Sequence, residues 1–345
     1  MSQKEQSYAY VAPDLAYTPR PPLMSMMSGV SKFSPEVAAE AGEISNPHPP
    51  VRYASRRTRA LYMWHKVRLA IRKPVAEFLA VAILVVFGAG GDCSAVLSTN
   101  PDVASSHKGE FLSTNLGWAI GLALGIWVSA GISGGHVNPA VTIALAVWRG
   151  FPWRMVPVYI FAQLMGGIVG AGLVYAQYIH AIDIFEGGRH IRTPATAGLF
   201  SSFALDYMTN VSCFFSEFLG AAILVFMIMA ATDKNNAAPP LSILPVVAFL
   251  TLLGLGVALG MQTAFAFNPA RDFGPRLFLT MVGYGQELYT FRNQYWLWCM
   301  IMGPILGAIC SLGLYDTLLY DPMGANAPVL IVDSMPVPEV PGAQV

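Results

Sequence analysis

The sequence predicts an all-α polytopic membrane protein, with six transmembrane helices and two re-entrant half-helices arranged as an inverted repeat. Three features point there. Charged residues make up 12% of the 345 residues and hydrophobic ones 54%, against about 25% charged in soluble domains. Six apolar runs approach the roughly 20 residues that a helix needs to cross a bilayer. One stretch also occurs twice, "EFLAVAILVVFGAG" from Glu77 and "EFLGAAILVFMIMA" from Glu217, each followed by an Asn-Pro-Ala box.

Taken in order, residues 1–51 are rich in Pro, Ser, Ala and Tyr without periodicity and read as a disordered cytosolic tail. They hold no apolar core of a secretory signal. Residues 52–73 form a basic juxtamembrane segment with eight Lys/Arg, which places the N-terminus in the cytoplasm. The expected spans are Pro74–Val96, Leu116–Ile132, Trp153–Tyr175, Cys213–Thr232, Leu241–Met261 and Tyr295–Leu314. An even number returns the chain to the cytoplasm, where residues 319–345 form a second tail. The membrane domain is then 74–318, with repeats at 74–177 and 213–318. Three spans per repeat is an odd number, so the second repeat is inserted upside down, which places a shared site near the midplane.

Glycines recur at fourth positions, as in Gly117, Gly121 and Gly125, Gly166 and Gly170, and Gly303 and Gly307, a spacing that lets helices approach closely in lipid. Cys93, Cys213, Cys299 and Cys310 lie in or beside apolar runs without metal-site spacing and read as buried thiols. Zero net charge gives nucleic acid no electrostatic footprint. Neither an enzyme's nucleophile–base set nor a metal or cofactor motif is present.

The boxes, Asn138-Pro139-Ala140 and Asn268-Pro269-Ala270, open segments too short to cross a bilayer. Asn is a preferred N-cap, and Pro suits the first helical position, where its missing N–H is not needed. Each Asn amide is expected to keep two N–H donors facing outward. Two such half-helices entering from opposite sides bring two positive dipole ends to one place. Water or a hydroxyl can accept hydrogen bonds there, and a cation is repelled.

"SGGHVNPAVT" (Ser133–Thr142) and "NPARDFGPR" (Asn268–Arg276) resemble the paired signatures of the major intrinsic proteins. The resemblance covers about Pro74 to Leu314 and is to the aquaglyceroporin, or glycerol-facilitator, branch, of the fungal type with a long N-terminal tail. It implies the aquaporin fold, a homotetramer in lipid, residence in the plasma membrane, and passive conduction of glycerol and water with protons and ions excluded. It also implies a selectivity constriction at Trp118, Gly256, Phe265 and Arg271. Two aromatics, a small residue and Arg suit a polyol, whose oily edge meets the rings and whose hydroxyls meet the guanidinium. Taken singly, Trp118 also fits an interfacial belt, Gly256 helix packing and Phe265 core. Glu77, Glu217, His136, Asp272 and Arg276 are implied supports of the pore loops. Met300 stands where the glycerol branch usually has Pro, and Arg189–Ser212 resembles that branch's extended external loop. A water or hydrogen peroxide pore is the alternative within the class. A secondary transporter is the rival outside it and would want an ion-coupling carboxylate in the lumen.

Overall fold

The computed structural model describes residues 56–321, with side chains from Ala60. The expected tail 1–51 and all but the first three residues of 319–345 lie outside the described residues. All regular structure among the described residues is helical. The helices are α1 (Arg56–Leu97), α2 (Phe111–Ser133), α3 (Pro139–Trp148), α4 (Val156–Phe185), α5 (Pro194–Ala197), α6 (Asn210–Thr232), α7 (Leu244–Thr263), α8 (Pro269–Met281), α9 (Glu287–Thr290), α10 (Tyr295–Trp298) and α11 (Met302–Leu318). Six segments are long and apolar enough to cross a membrane, and each contains one of the expected runs.

Three departures from the expected spans bear on how the helices are held. The first span was expected to begin at Pro74, but α1 passes through it unbroken. Pro74 leaves the Ala70 carbonyl without its helical donor, and Ala70 lies in the exposed stretch 60–73, where water supplies one. Helix α4 runs to Phe185, past the expected Tyr175. Arg192 ties down this extension, donating from Nε to the Tyr175 hydroxyl (2.8 Å) and from Nη2 to Asp183 Oδ1 (2.7 Å). The sixth span is broken between α10 and α11, because Pro304 has no N–H for the Met300 carbonyl.

The repeat is visible in the packing. A Cβ on Gly166 of α4 would lie 2.3 Å from the Phe78 carbonyl oxygen, and one on Gly307 of α11 would lie 2.1 Å from the Phe218 carbonyl oxygen. Phe78 and Phe218 follow the repeated Glu77 and Glu217, so the third helix of each repeat rests on the first at the same place. Backbone oxygens cannot retreat as side chains can. Gly307→Ala is therefore expected to destabilise the fold by about 1–3 kcal/mol. A thermal melt of the purified variant in detergent checks this; an unchanged melting temperature would contradict it.

Helices α3 and α8 have 10 and 13 residues, about 15 and 20 Å at 1.5 Å per residue, too short to cross. Helix α3 packs on α4 and α11, α8 packs on α4, and the two touch each other. Three of the four cysteines are buried as expected. Cys310 is exposed, on a helix whose outward face is apolar because its expected surroundings are lipid.

Candidate pore and its constriction

Each pore loop reaches its half-helix through backbone that most residues avoid. Val137 has φ 54° and Phe267 φ 46°, in the left-handed region, as are Ala264 and Phe265 at 60° and 39°. Such conformations persist only where surroundings over-determine them. Here the repeated glutamates do so. Glu77 Oε1 accepts from the Ser133 hydroxyl (2.5 Å) and the His136 N–H (3.0 Å), and Oε2 accepts from the Val137 N–H and Gln163 Nε2 (2.7 and 2.8 Å). Glu217 Oε1 accepts from the Thr263 hydroxyl and the Ala266 N–H (2.7 and 3.2 Å), and Oε2 accepts from the Phe267 N–H (2.8 Å). Both glutamates are fully buried. His136 Nδ1 lies 3.1 Å from the Thr142 hydroxyl, and its ring packs on Phe151 and Tyr159.

Both box asparagines cap their helices. Asn138 Oδ1 accepts from the Ala140 N–H (2.8 Å), and Asn268 Oδ1 from those of Ala270 (3.0 Å) and Arg271 (3.3 Å). Pro139 and Pro269 take the first helical positions, and Ala140 and Ala270 are fully buried. The amide nitrogens depart from expectation. Asn138 Nδ2 donates to the Phe267 carbonyl (2.9 Å), and Asn268 Nδ2 donates to the Val137 carbonyl (2.8 Å). One N–H of each amide is thus spent on the opposite loop, so two remain for the lumen rather than four. The cause is burial: a carbonyl turned away from helical geometry in the interior must find a donor.

Two cavities meet beyond the boxes. The inner one, about 30 Å³, is lined by Asn138, Asn268, His136 and apolar side chains that include Leu84, Leu122 and Leu252. It has room for about two waters. The outer one, about 450 Å³, opens between the ends of α1, α2 and α7. Trp118, Phe265 and Arg271 line both, so these three stand at the junction. The Arg271 guanidinium lies 3.7 Å from the centre of the Trp118 ring and 5.9 Å from that of Phe265. Guanidinium and indole are therefore in contact.

Gly256, the fourth expected member, lines neither cavity. It lies behind Phe265: a Cβ there would be 3.3 Å from Phe265 Cε2 and 2.5 Å from Asn115 Oδ1. Its missing side chain makes room for Asn115 and the Phe265 ring rather than opening directly on the lumen.

Asp272 and Arg276 stay out of both cavities. They form a fully buried ion pair (3.1 Å). Asp272 Oδ1 also accepts from the Ser202 N–H (2.6 Å), and Arg276 donates to the carbonyls of Leu288 (2.7 Å) and Ser202 (2.9 Å). Met300 is fully buried, packed with Ala266 of the second pore loop and Met208 of the connector.

Ser202, Tyr284, Gln163, Asn115 and Asp92, at or beside the site, escaped the sequence reading. Ser202 accepts from Arg271 Nη1 (2.8 Å), which fixes the guanidinium from the connector. That connector is tied in turn by the Tyr284 hydroxyl, 2.8 Å from Thr196 Oγ1; burial pushes the Tyr284 pKa up, so it stays neutral. Gln163 completes the shell of Glu77. Asn115 is fully buried beside Gly256, with no hydrogen-bond partner for either amide atom. Asp92 accepts from Trp118 Nε1 (2.9 Å) and lines the outer cavity. A carboxylate inside an apolar span was a readable signal.

Comparison with known proteins agrees with this geometry. The chain is 63% identical over 276 residues to Aquaporin-7-1 of Laccaria bicolor, covering 80% of this chain and 82% of that one. It is 41% identical over 271 residues to the aquaglycerol porin AQY3 of Saccharomyces cerevisiae, covering 79% of this chain and 41% of that one. The solved structure of the aquaglyceroporin from Plasmodium falciparum superposes with a TM-score of 0.64 at 31% identity, over 72% of this chain and 96% of that one. The profile of the family described as "Major intrinsic protein" matches residues 63–315. With six apolar spans, two half-helices opened by Asn-Pro-Ala and a lumen between them, this chain belongs to the major intrinsic protein family of multi-pass membrane channels.

Proposed function

We propose that the protein passively conducts glycerol and other small neutral solutes, passes water as well, and excludes protons and ions. The observation that carries this reading is the junction of Trp118, Phe265 and Arg271, with Gly256 leaving room behind the Phe265 ring. Two aromatic faces receive the carbon edge of a polyol, and the guanidinium N–H groups receive its hydroxyls. The relatives named as aquaglyceroporins support the same solute class. Proton exclusion falls to the two half-helix N-termini, each about half a positive charge. The remaining Asn138 and Asn268 N–H groups hold a passing water by its oxygen. The channel domain is assigned to 74–318 of a homotetramer in the plasma membrane, with both termini cytoplasmic.

One observation favours a second reading. The Arg271 guanidinium rests on the face of the Trp118 ring, which narrows the junction and suits a water or hydrogen peroxide pore with little glycerol flux. Stopped-flow light scattering of reconstituted vesicles under glycerol and sucrose gradients separates the two. Glycerol entry well above that of empty vesicles, unchanged when a proton gradient is removed, is expected. Water flux without glycerol flux would establish the second reading, and glycerol flux that collapses with the proton gradient would require a coupled transporter.

A further inference from the structure

We propose that Asp92 is a further specificity-determining residue of the constriction, whose carboxylate offsets the charge of Arg271 and so closes the pore to small anions. The inference rests on the reading of this pore as a channel for neutral solutes. Three carboxylates, Asp92, Asp272 and Glu217, lie near enough to Arg271 to act on its charge. Two of them are committed elsewhere. Asp272 is paired with Arg276 and capped by the Ser202 N–H, and Glu217 is held by Thr263 and two backbone N–H groups. Asp92 alone of the three lines open space, on the outer cavity that Arg271 also lines.

Its own hydrogen bonding leaves it available. Oδ2 accepts from Trp118 Nε1; among the described residues no protein donor reaches Oδ1. The same indole carries the guanidinium on its face, 3.7 Å from the ring centre. Carboxylate, indole and guanidinium therefore form one unit, with opposite charges at its two ends. Without the carboxylate, the narrow point would present Arg271 and then two helix N-termini, three positive features in succession. Positively charged constrictions of this kind select anions. A pore wide enough for a planar or three-carbon neutral solute is wide enough for nitrate, so charge has to do the excluding.

Asp92→Asn tests this, since an amide oxygen still accepts from Trp118 Nε1 while the charge is gone. Nitrate permeability of reconstituted vesicles, read with a potential-sensitive dye, is expected to rise about fivefold or more above wild type. A fivefold rise corresponds to about 1 kcal/mol of lost repulsion at the constriction. Asp92→Glu, which keeps the charge, is expected to stay as tight as wild type. Nitrate exclusion unchanged in Asp92→Asn would overturn the proposal, as would an equal leak in Asp92→Glu. Should Asp92→Asn fail to elute as an assembled protein on gel filtration, Asp92→Ser removes the same charge and is read the same way. Glycerol flux of the wild-type vesicles tests the solute assignment separately, and its absence would leave the nitrate comparison intact.

Discussion

In vesicles carrying Gly256→His together with Phe265→Cys, glycerol permeability is expected to fall roughly tenfold or more, about 1.4 kcal/mol of added barrier. Water permeability is expected to fall far less. The pairing of the two substitutions follows from their contacts. The Phe265 ring leans on two glycines, with a Cβ at Gly260 falling 2.5 Å from Cδ1 and one at Gly256 falling 3.3 Å from Cε2. An imidazole at 256 cannot enter while the ring is there. Once Phe265 is cut back to Cys, the imidazole fills the vacated space and adds a polar group on the side where a polyol places its carbons. Asn115 has to shift in either variant, since its Oδ1 would lie 2.5 Å from the new Cβ, and the single Gly256→His change is expected to disturb Phe265 as well. The measurement is the ratio of glycerol to water permeability in one preparation. A ratio equal to wild type would remove Gly256 and Phe265 from the constriction.

Glu77→Ala should have a larger effect on the fold than on any single solute. Its carboxylate is the acceptor for two pore-loop N–H groups, one hydroxyl and the Gln163 amide. Removing it strands the His136 and Val137 N–H groups and leaves Ser133 and Gln163 only their longer bonds to Ser129 and Thr142 (3.2 Å each), and each donor left without a partner costs about 1–3 kcal/mol. Relaxation and entering water recover part of that sum. The protein is expected to lose its melting transition, or show it strongly lowered, and to run as aggregate on gel filtration. A melting temperature within a degree of wild type would mean that the left-handed backbone at Val137 is held by something else.

The sequence carried the fold because the bilayer admits few solutions. A run of about 20 apolar residues has to be a helix, and a duplicated Glu-Phe-Leu with its box has to mark two copies of one unit. Asn-Pro-Ala was legible because each residue type has a separate reason to open a helix. What stayed hidden was pairing across the chain. Asn138 reaches the carbonyl of Phe267 and Asn268 that of Val137, and nothing local in either box announces it. Ser202 was invisible for the same reason, since a serine in a polar connector has no spacing relation to Arg271. The helix ends were missed because hydropathy measures the apolar part of a helix, whereas α1 and α4 continue into polar sequence that ion pairs and water support.

The crossed asparagine bonds also set a timetable for biosynthesis. Val137 is separated from the amide that satisfies it by 131 residues, and a ribosome adds about 5–20 residues per second. The first loop is therefore made about 7–26 s before its partner exists. Throughout that interval the Val137 carbonyl and one Asn138 N–H lack their native partners. The first half-helix cannot settle into a dry interior until the second repeat has inserted. A nascent chain halted before Asn268 would hold an open, hydrated half-pore, and lumen closure becomes the last event of its insertion rather than the first.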